Sequence, residues 1–464
     1  MRMGCCTLLL TNARSQNMRR AHARVCDHDA VHPAPDSAPS PDSPSAIGAG
    51  TFAWALYDFG FSLFAFVVFA RYLSDWLIID LGFPDYYYTI TQAVTACTLL
   101  ILMPAAGTLA ARWGRHVPLL ATFTALSAGA CAGLGFLTPG TGLGGILPTL
   151  ALGGICAGMA GLALAQFDPL LARVAPAHQW GTVSGYAVAA GFIGFLAGNG
   201  IFSTVIVGEG NKQQAFVPAA IILAVCTVPL IALVRERPTS RSAGTKAWRD
   251  AVEACKNSLG LIGEVARTPR VGRLLAGRFL YTDAVGTVNI YLVVYISRMG
   301  GFSDANKSIA LGIGVVCAAA GALVSGAMAQ QFGPRRTLMV ILPGFAAALV
   351  ATALLPYPWT IWMLAPVIGI SLGTVYTCDR VFMLALTPSE RRGEFFGVFN
   401  LIGRVAQAAG PLVFWGGTIW ILHNATGWMT AFDANRVALA LLGACTLAGL
   451  AVIRPLDDGH RAKD

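Results

Sequence analysis

Apolar stretches of about 20 residues, each long enough to cross ~30 Å of hydrocarbon, recur along this chain from residue 51 to residue 454. Twelve can be placed, near 51–74, 87–110, 117–137, 145–170, 182–207, 214–234, 274–297, 308–330, 337–356, 359–386, 395–420 and 436–454. Inside a bilayer every backbone polar group must be satisfied without water, which restricts such a chain to helices. The expected fold class is therefore all-α integral membrane, with 12 transmembrane helices. Composition leaves no soluble alternative. Hydrophobic residues make up 55% and charged residues 12%, against about 25% charged in an ordinary soluble domain.

A polar gap from Arg235 to Arg273 divides the spans six and six. The expected layout is a disordered, Pro- and Ser-rich N-terminal tail (1–48), a six-helix bundle (49–234), a linker (235–273), a second bundle (274–455) and a short tail (456–464). Met18 is an alternative start, so translation of residues 1–17 stays open. Within the linker, Ala247, Ala251, Ala254, Leu259 and Ile262 recur at helical spacing among charges. That pattern predicts an amphipathic helix on the membrane surface or against the bundle, with a solvated tether as the plainer alternative.

The net charge of +9 does not call for nucleic acid. Arg112, Arg115, Arg173, Arg335, Arg336, Arg391 and Arg392, with the basic linker, all fall on one side of the membrane. By the positive-inside rule that side is cytoplasmic, and both termini with it. Of the 11 cysteines, seven sit singly in apolar runs and behave as small hydrophobes. No metal site, redox centre or cofactor is expected. Gly369-Ile370-Ser371-Leu372-Gly373 copies a serine-hydrolase elbow in letters alone, because it lies within a span rather than at a strand-to-helix turn. With no nucleophile–base set in the spans, the chain reads as not an enzyme.

An internal repeat is the most specific signal. Pro176-x4-Gly181-x3-Gly185-x5-Gly191-x6-Gly198 recurs, with every spacing kept, as Pro388-x4-Gly393-x3-Gly397-x5-Gly403-x6-Gly410. Asp58-x3-Ser62 in the first span parallels Asp283-x3-Thr287 in the seventh. The loops Gly107-x3-Ala111-Arg112-Trp113-Gly114-Arg115 and Gly326-x3-Gln330-Gln331-Phe332-Gly333-Pro334-Arg335 also correspond. Six spans is an even number, so the repeats run in the same direction, as in carriers with a site between two halves.

The twelve spans and the Gly-x3-(Asp)-Arg-x-Gly-Arg loop resemble the major facilitator superfamily. Trp54-Ala55-Leu56-Tyr57-Asp58, Tyr281-Thr282-Asp283, Gly181-Thr182-Val183-Ser184-Gly185 and Asp379-Arg380 through Pro388 to Gly397 resemble its branch of vacuolar amino-acid effluxers and bacterial relatives. The resemblance implies the major facilitator fold, with spans one, four, seven and ten lining a cavity. Gly107, Arg112, Gly114, Arg115, Gly326, Gly333 and Arg335 would form a cytoplasmic gate. The chain departs from the pattern where Ala111 and Gln330 replace the loop's Asp, Phe61 an Asn, and Ala284 a Gly.

Ionisable side chains at membrane depth are costly and mark function. Asp58, Asp283, Arg380 and Arg404 lie within spans, and Asp379 near the end of the tenth. Asp283 has Arg278, Arg380 and Arg404 as potential partners, whereas no Lys or Arg lies deep in any span of the half that holds Asp58. Asp283, Thr287 and Tyr291 share one helix face, as do Asp58 and Ser62, and Asn400, Arg404 and Gln407. Such stripes line a cavity or form interhelical hydrogen bonds.

The resulting expectation is a secondary active transporter for a small polar solute, an amino acid or similar zwitterion. It would work by alternating access, as proton-coupled efflux through Asp58 and Asp283. Drug export, and a non-transporting sensor or scramblase, are the alternatives. Its partners would be small-molecule substrate, protons and the lipid bilayer, with no nucleic acid, in a monomer. The expected location is the inner or plasma membrane, or a vacuolar membrane in a eukaryotic host.

Overall fold

Long helices account for the expected spans, and among the described residues all regular structure is helical. A computed structural model describes residues 48–138, 142–207, 211–236, 247–299, 303–355 and 357–457. The expected N-terminal tail to residue 47, the turn-rich part of the linker and residues 458–464 lie outside them. The first half contains α1 (Ala49–Ala65), α2 (Asp85–Trp113), α3 (Val117–Phe136), α4 (Gly142–Phe167), α5 (Trp180–Ile201) and α6 (Phe216–Leu233). After α7 (Ala247–Arg267), the second half contains α8 (Pro269–Met299), α9 (Asp304–Phe332), α10 (Pro334–Leu354), α11 (Pro358–Leu386), α12 (Arg392–Ala409) and α13 (Ala431–Ile453).

Eleven of these elements are long and apolar enough to cross a membrane. The twelfth, α8, has the length at 31 residues but carries Arg270, Arg273, Arg278 and Asp283, and this charge gives it a separate role below. It starts at Pro269, where the missing N–H costs nothing. The last turn of α12 passes into π-helix at Gly410–Gly417, where Pro411 has no N–H to continue the α ladder.

The repeated glycines divide into two groups by what they touch. The first two of each set join the halves. A methyl group at Gly181 would sit 2.6 Å from the Gly326 carbonyl oxygen, and one at Gly185 would sit 2.5 Å from that of Ala322, so α5 and α9 pack backbone to backbone. In the other half Gly393 lies against the backbone of Gly107, and a methyl at Gly397 would sit 2.7 Å from the Met103 carbonyl, joining α12 to α2. Small residues permit this close approach in a bilayer, where van der Waals packing drives helix association.

The later glycines pack within each half, and they set the register of the first and seventh spans. Gly191 faces Asp58 and Ser62, with a methyl there 2.8 Å from Ser62 Oγ. Its counterpart Gly403 faces the Arg278 guanidinium, also at 2.8 Å. Gly198 faces Leu63, and its counterpart Gly410 faces Asp283 and Thr287. The two Asp-x3-Ser/Thr motifs are thus not equivalent in space. Arg278 stands where the repeat places Asp58.

Both seams lie toward the face that bears the Arg-rich loops, hereafter the basic face. No comparable packing joins α1 to α8 among the described residues. Because the seam contacts are to backbone, they have little room to give. Gly185→Val is expected to prevent seam closure and to destabilise the protein by about 1–3 kcal/mol through overpacking. Thermal unfolding of the purified protein, with Gly200→Val as an unobstructed control, measures the difference.

Candidate transport site

Charges inside the bundle are sorted by helix rotation. Successive residues on an α-helix point about 100° apart, so Asp379 and Arg380 of α11 face opposite ways. Asp379 turns into its own half, where Arg278 Nε donates to it at 2.9 Å and the Tyr281 hydroxyl at 2.7 Å. Arg278 also donates to the Phe399 carbonyl at 2.9 Å, and its guanidinium lies over the Phe399 ring. Arg380 turns across the cleft. Its Nε lies 2.8 Å from Asp168 Oδ1, at the end of α4, and both side chains are almost fully buried. Its guanidinium also lies over the rings of Trp54 and Phe167. Asn400 of α12 donates to the other Asp168 oxygen at 3.0 Å.

Asp58 is buried one turn from Trp54. Arg380 and Asp168 are the charges that act on it, yet it forms no ion pair within 4 Å among the described residues. Ser62 stands beside it against Gly191. Asp283 is fully buried, as is Thr287, and its carboxylate forms no ion pair among the described residues, with the Gly410 backbone beside it. Of its anticipated partners, Arg278 goes to Asp379 and Arg380 to Asp168. Asp283 and Thr287 therefore face Gly410 inside the second half, away from Asp58.

Arg404 differs from the other buried-span arginines. It is exposed and belongs to no ion pair among the described residues. Its guanidinium reaches across the cleft to α4, where a methyl on Gly161 would sit 3.2 Å from Nη2. Gln407, one turn on, is exposed and interacts with the Tyr376 hydroxyl. The Tyr376 ring stacks with Phe192 of the first half, and Tyr291 stacks on Trp415 at 5.1 Å. Arg404, Gln407 and Tyr376 thus form a polar wall with one uncompensated cation.

The two gate seams are latched differently. Gln330 accepts the Gly181 N–H at 3.1 Å, tying α9 to the start of α5. Ala111 occupies the matching position of α2 and has no group to offer Gly393. There α7 spans the seam instead. Arg112 of the first half meets Asp250 at 3.6 Å and Glu253 at 3.3 Å, and Arg391 of the second half meets Glu264 at 2.8 Å. Gly114 and Gly333 have φ of 64° and 90°, the left-handed region that favours glycine, and end α2 and α9. Arg335 donates to the Arg454 carbonyl at 2.6 Å, and Arg115 is exposed.

Arg278, Tyr281, Asp168 as a partner, Gly161 and His116 were not anticipated as site residues. The adjacent Asp379-Arg380 signals two opposed pairings, but the sequence alone does not name the partners. His116 packs at the α2–α12 seam, with its ring 3.1 Å from a methyl placed on Gly393. Its Nδ1 lies 3.0 Å from Gln166 Oε1, while Glu236 accepts the N–H groups of His116 and Val117 at 2.9 and 2.8 Å.

Two parallel six-helix repeats around a cleft, with charges placed between them, define a membrane carrier. The Major Facilitator Superfamily model matches residues 44–411, and the chain belongs to that superfamily of secondary transporters. It is 24% identical over 418 residues to the uncharacterized MFS-type transporter YxiO of Bacillus subtilis (strain 168), covering 85% of this chain and 93% of that one. It is 26% identical over 179 residues to autophagy-related protein 22 of Yarrowia lipolytica (strain CLIB 122 / E 150), covering 36% of this chain and 30% of that one. Among solved structures, the human organic anion transporter MFSD10 (TETRAN) superposes with a TM-score of 0.66 at 14% identity, over 88% of this chain and 98% of that one. The proton:xylose symporter XylE does so at 0.65 and 15%, over 87% and 94%.

Burial pushes the His116 imidazole down to about 4, with Arg173 and Arg392 acting in the same direction and Gln166 against it. A base whose pKa is lowered by folding stabilises the folded form above its unfolded value, about 6.5. That stability is lost as pH falls from there toward 4. Between these limits the protein is expected to lose a few kcal/mol, by the linkage of about 1.4 kcal/mol per unit. His116→Gln should flatten this part of the thermal-stability profile against pH.

Proposed function

We propose that the chain moves a small carboxylate-bearing solute, an amino acid or similar zwitterion, by alternating access coupled to protons. The observation that carries this reading is Arg404, an exposed guanidinium on the cleft wall with no ion-pair partner among the described residues. A lone cation there is suited to bidentate capture of a carboxylate. Gln407 and Tyr376 supply further hydrogen-bonding groups beside it. The similar human structure is titled an organic anion transporter, which agrees with an anion site on this scaffold.

Asp58 is the proposed coupling residue. It lies almost buried, next to but outside the Asp168–Arg380 pair, so its charge is uncompensated when ionised. Parting the halves removes Arg380 from its neighbourhood and alters its proton affinity, which links protonation to access. One of the similar structures is titled a proton symporter. Asp283, buried without an ion-pair partner among the described residues, is a second proton site on this reading. By the positive-inside rule the closed basic face is cytoplasmic, and export from the cytoplasm is the proposed direction.

The test is proton and labelled-solute flux in proteoliposomes, over a panel of amino acids, carboxylates, sugars and cationic drugs. A carboxylate-bearing class is expected to drive proton movement. Arg404→Gln should lower its transport at least tenfold, by loss of a charged hydrogen-bonding group. Asp58→Asn should uncouple proton movement while leaving solute exchange. Flux that follows apolar drugs and is indifferent to Arg404→Gln would replace this reading with drug export.

A further inference from the structure

The helix α7 does more than join the halves. Its buried residues Ala254, Ser258 and Val265 form one face, with Ile262 packed beside them. Ser258 Oγ donates to the Ile101 carbonyl at 2.9 Å. Ile101 lies within the membrane span Tyr86–Trp113, about 16 Å up the helix from Arg112 at 1.5 Å per residue. A helix whose back rests on a membrane-spanning helix is held against the bilayer rather than free in water. Its other face then meets lipid.

That other face is cationic in a particular way. The carboxylates Asp250, Glu253 and Glu264 are directed to Arg112 and Arg391 on the bundle. Hydrogen bonding to the Arg391 guanidinium also holds the Glu264 carboxyl below its usual range. Arg249, Lys256 and Arg267 of α7, with Arg270 and Arg273 of α8, are exposed and belong to no ion pair among the described residues. Leu259, 63% exposed, projects an apolar side chain on the same stretch. Two grooves run along this face. One, of about 480 Å³, is lined by Leu259, Gly260, Gly263, Glu264, Arg267 and Thr268. The other, of about 430 Å³, is lined by Arg249, Val252, Glu253 and Lys256. Each holds a cation and apolar groups, with its one carboxylate already paired to the bundle.

We infer that the outer face of α7 is a binding surface for anionic phospholipid, its cations on the headgroup phosphates and Leu259 in the acyl boundary. The chemistry is that of an amphipathic helix with basic residues on its polar side. The choice of anionic over zwitterionic lipid follows from the charge balance on α7, where each of the three carboxylates is paired to an arginine of the bundle while Arg249, Lys256 and Arg267 belong to no ion pair among the described residues. Because α7 also bridges the α2–α12 seam, lipid held on its outer face keeps the bridge in place.

The experiment reconstitutes the full chain in vesicles of equal phosphatidylcholine and phosphatidylglycerol. The protein is re-extracted in mild detergent, and the co-purifying lipid is quantified by mass spectrometry. Wild type is expected to enrich phosphatidylglycerol, on the order of tenfold for a few cations near the surface. The variant Arg249→Gln/Lys256→Gln/Arg267→Gln should return to the bulk ratio. A control, Arg173→Gln/Arg336→Gln, removes exposed cations of the same face outside α7 and should keep the enrichment. Inorganic phosphate should not displace the lipid, and displacement would mean a phosphate site rather than a lipid surface. No enrichment in wild type, or equal loss in the control, would overturn the assignment. Elution of every variant as wild type on size exclusion shows that the loss is not misfolding.

Discussion

The closed basic face depends on one buried cation. Arg380 takes its carboxylate from the opposite half, and among the described ion pairs Asp168–Arg380 is the one that links the halves within the bundle. Removing two charges from water costs several kcal/mol each, recovered only by good geometry and further hydrogen bonds. They are met only in part here: Arg380 Nε lies 2.8 Å from Asp168 Oδ1, but Arg380 Nη1 and Asp168 Oδ1 form no hydrogen bond among the described residues. Asn400 occupies the second Asp168 oxygen, and the rings of Trp54 and Phe167 cover the guanidinium. Such a pair is a poor source of net stability and a good source of register. It favours one arrangement of the halves, at the depth where α1, α4, α11 and α12 meet.

Around that pair the two seams meet the same mechanical need with different chemistry. On α5–α9 a side-chain amide caps the facing helix, Gln330 to Gly181. On α2–α12 Ala111 cannot do so, and the bridge runs through α7 by ion pairs that are partly exposed. Exposed pairs are worth about 0–1 kcal/mol each and are screened by salt. The second seam is therefore the more sensitive to ionic strength and to whatever covers α7. His116, neutral and buried at this same seam, adds a dependence on acid.

Much of this architecture was legible in the sequence. The spans follow from hydropathy, and even the charged α8 is placed by its spacing from its neighbours. The glycine repeat announced two equivalent halves, though not that its first two glycines join the halves while the rest pack inside them. The parallel between Asp58-x3-Ser62 and Asp283-x3-Thr287 was visible but misleading in space. The glycine contacts put Arg278 opposite Gly403, where Asp58 stands opposite Gly191. Motif letters carry no rotation or register between helices, and these decide partners. For the same reason the adjacency of Asp379 and Arg380 was plain while the split of their pairings between halves was not.

The distribution of charge also bears on how the carrier could turn over. Two arginines within the spans, Arg278 and Arg380, are neutralised by carboxylates at 2.8–2.9 Å, and Arg404 is not. On the proposed function, the Arg404 guanidinium, which has no ion-pair partner among the described residues, takes its anion from the solute. Asp58 presents the reverse problem, a carboxylate near a cation already taken. On the proposed mechanism, parting the halves breaks the Asp168–Arg380 pair and exposes two charges that had been satisfied. A proton at Asp58 and an anion at Arg404 change the cost of that step in ways neither does alone. Coupling between them then needs no direct contact, because both act on the same separation of α1 and α4 from α11 and α12.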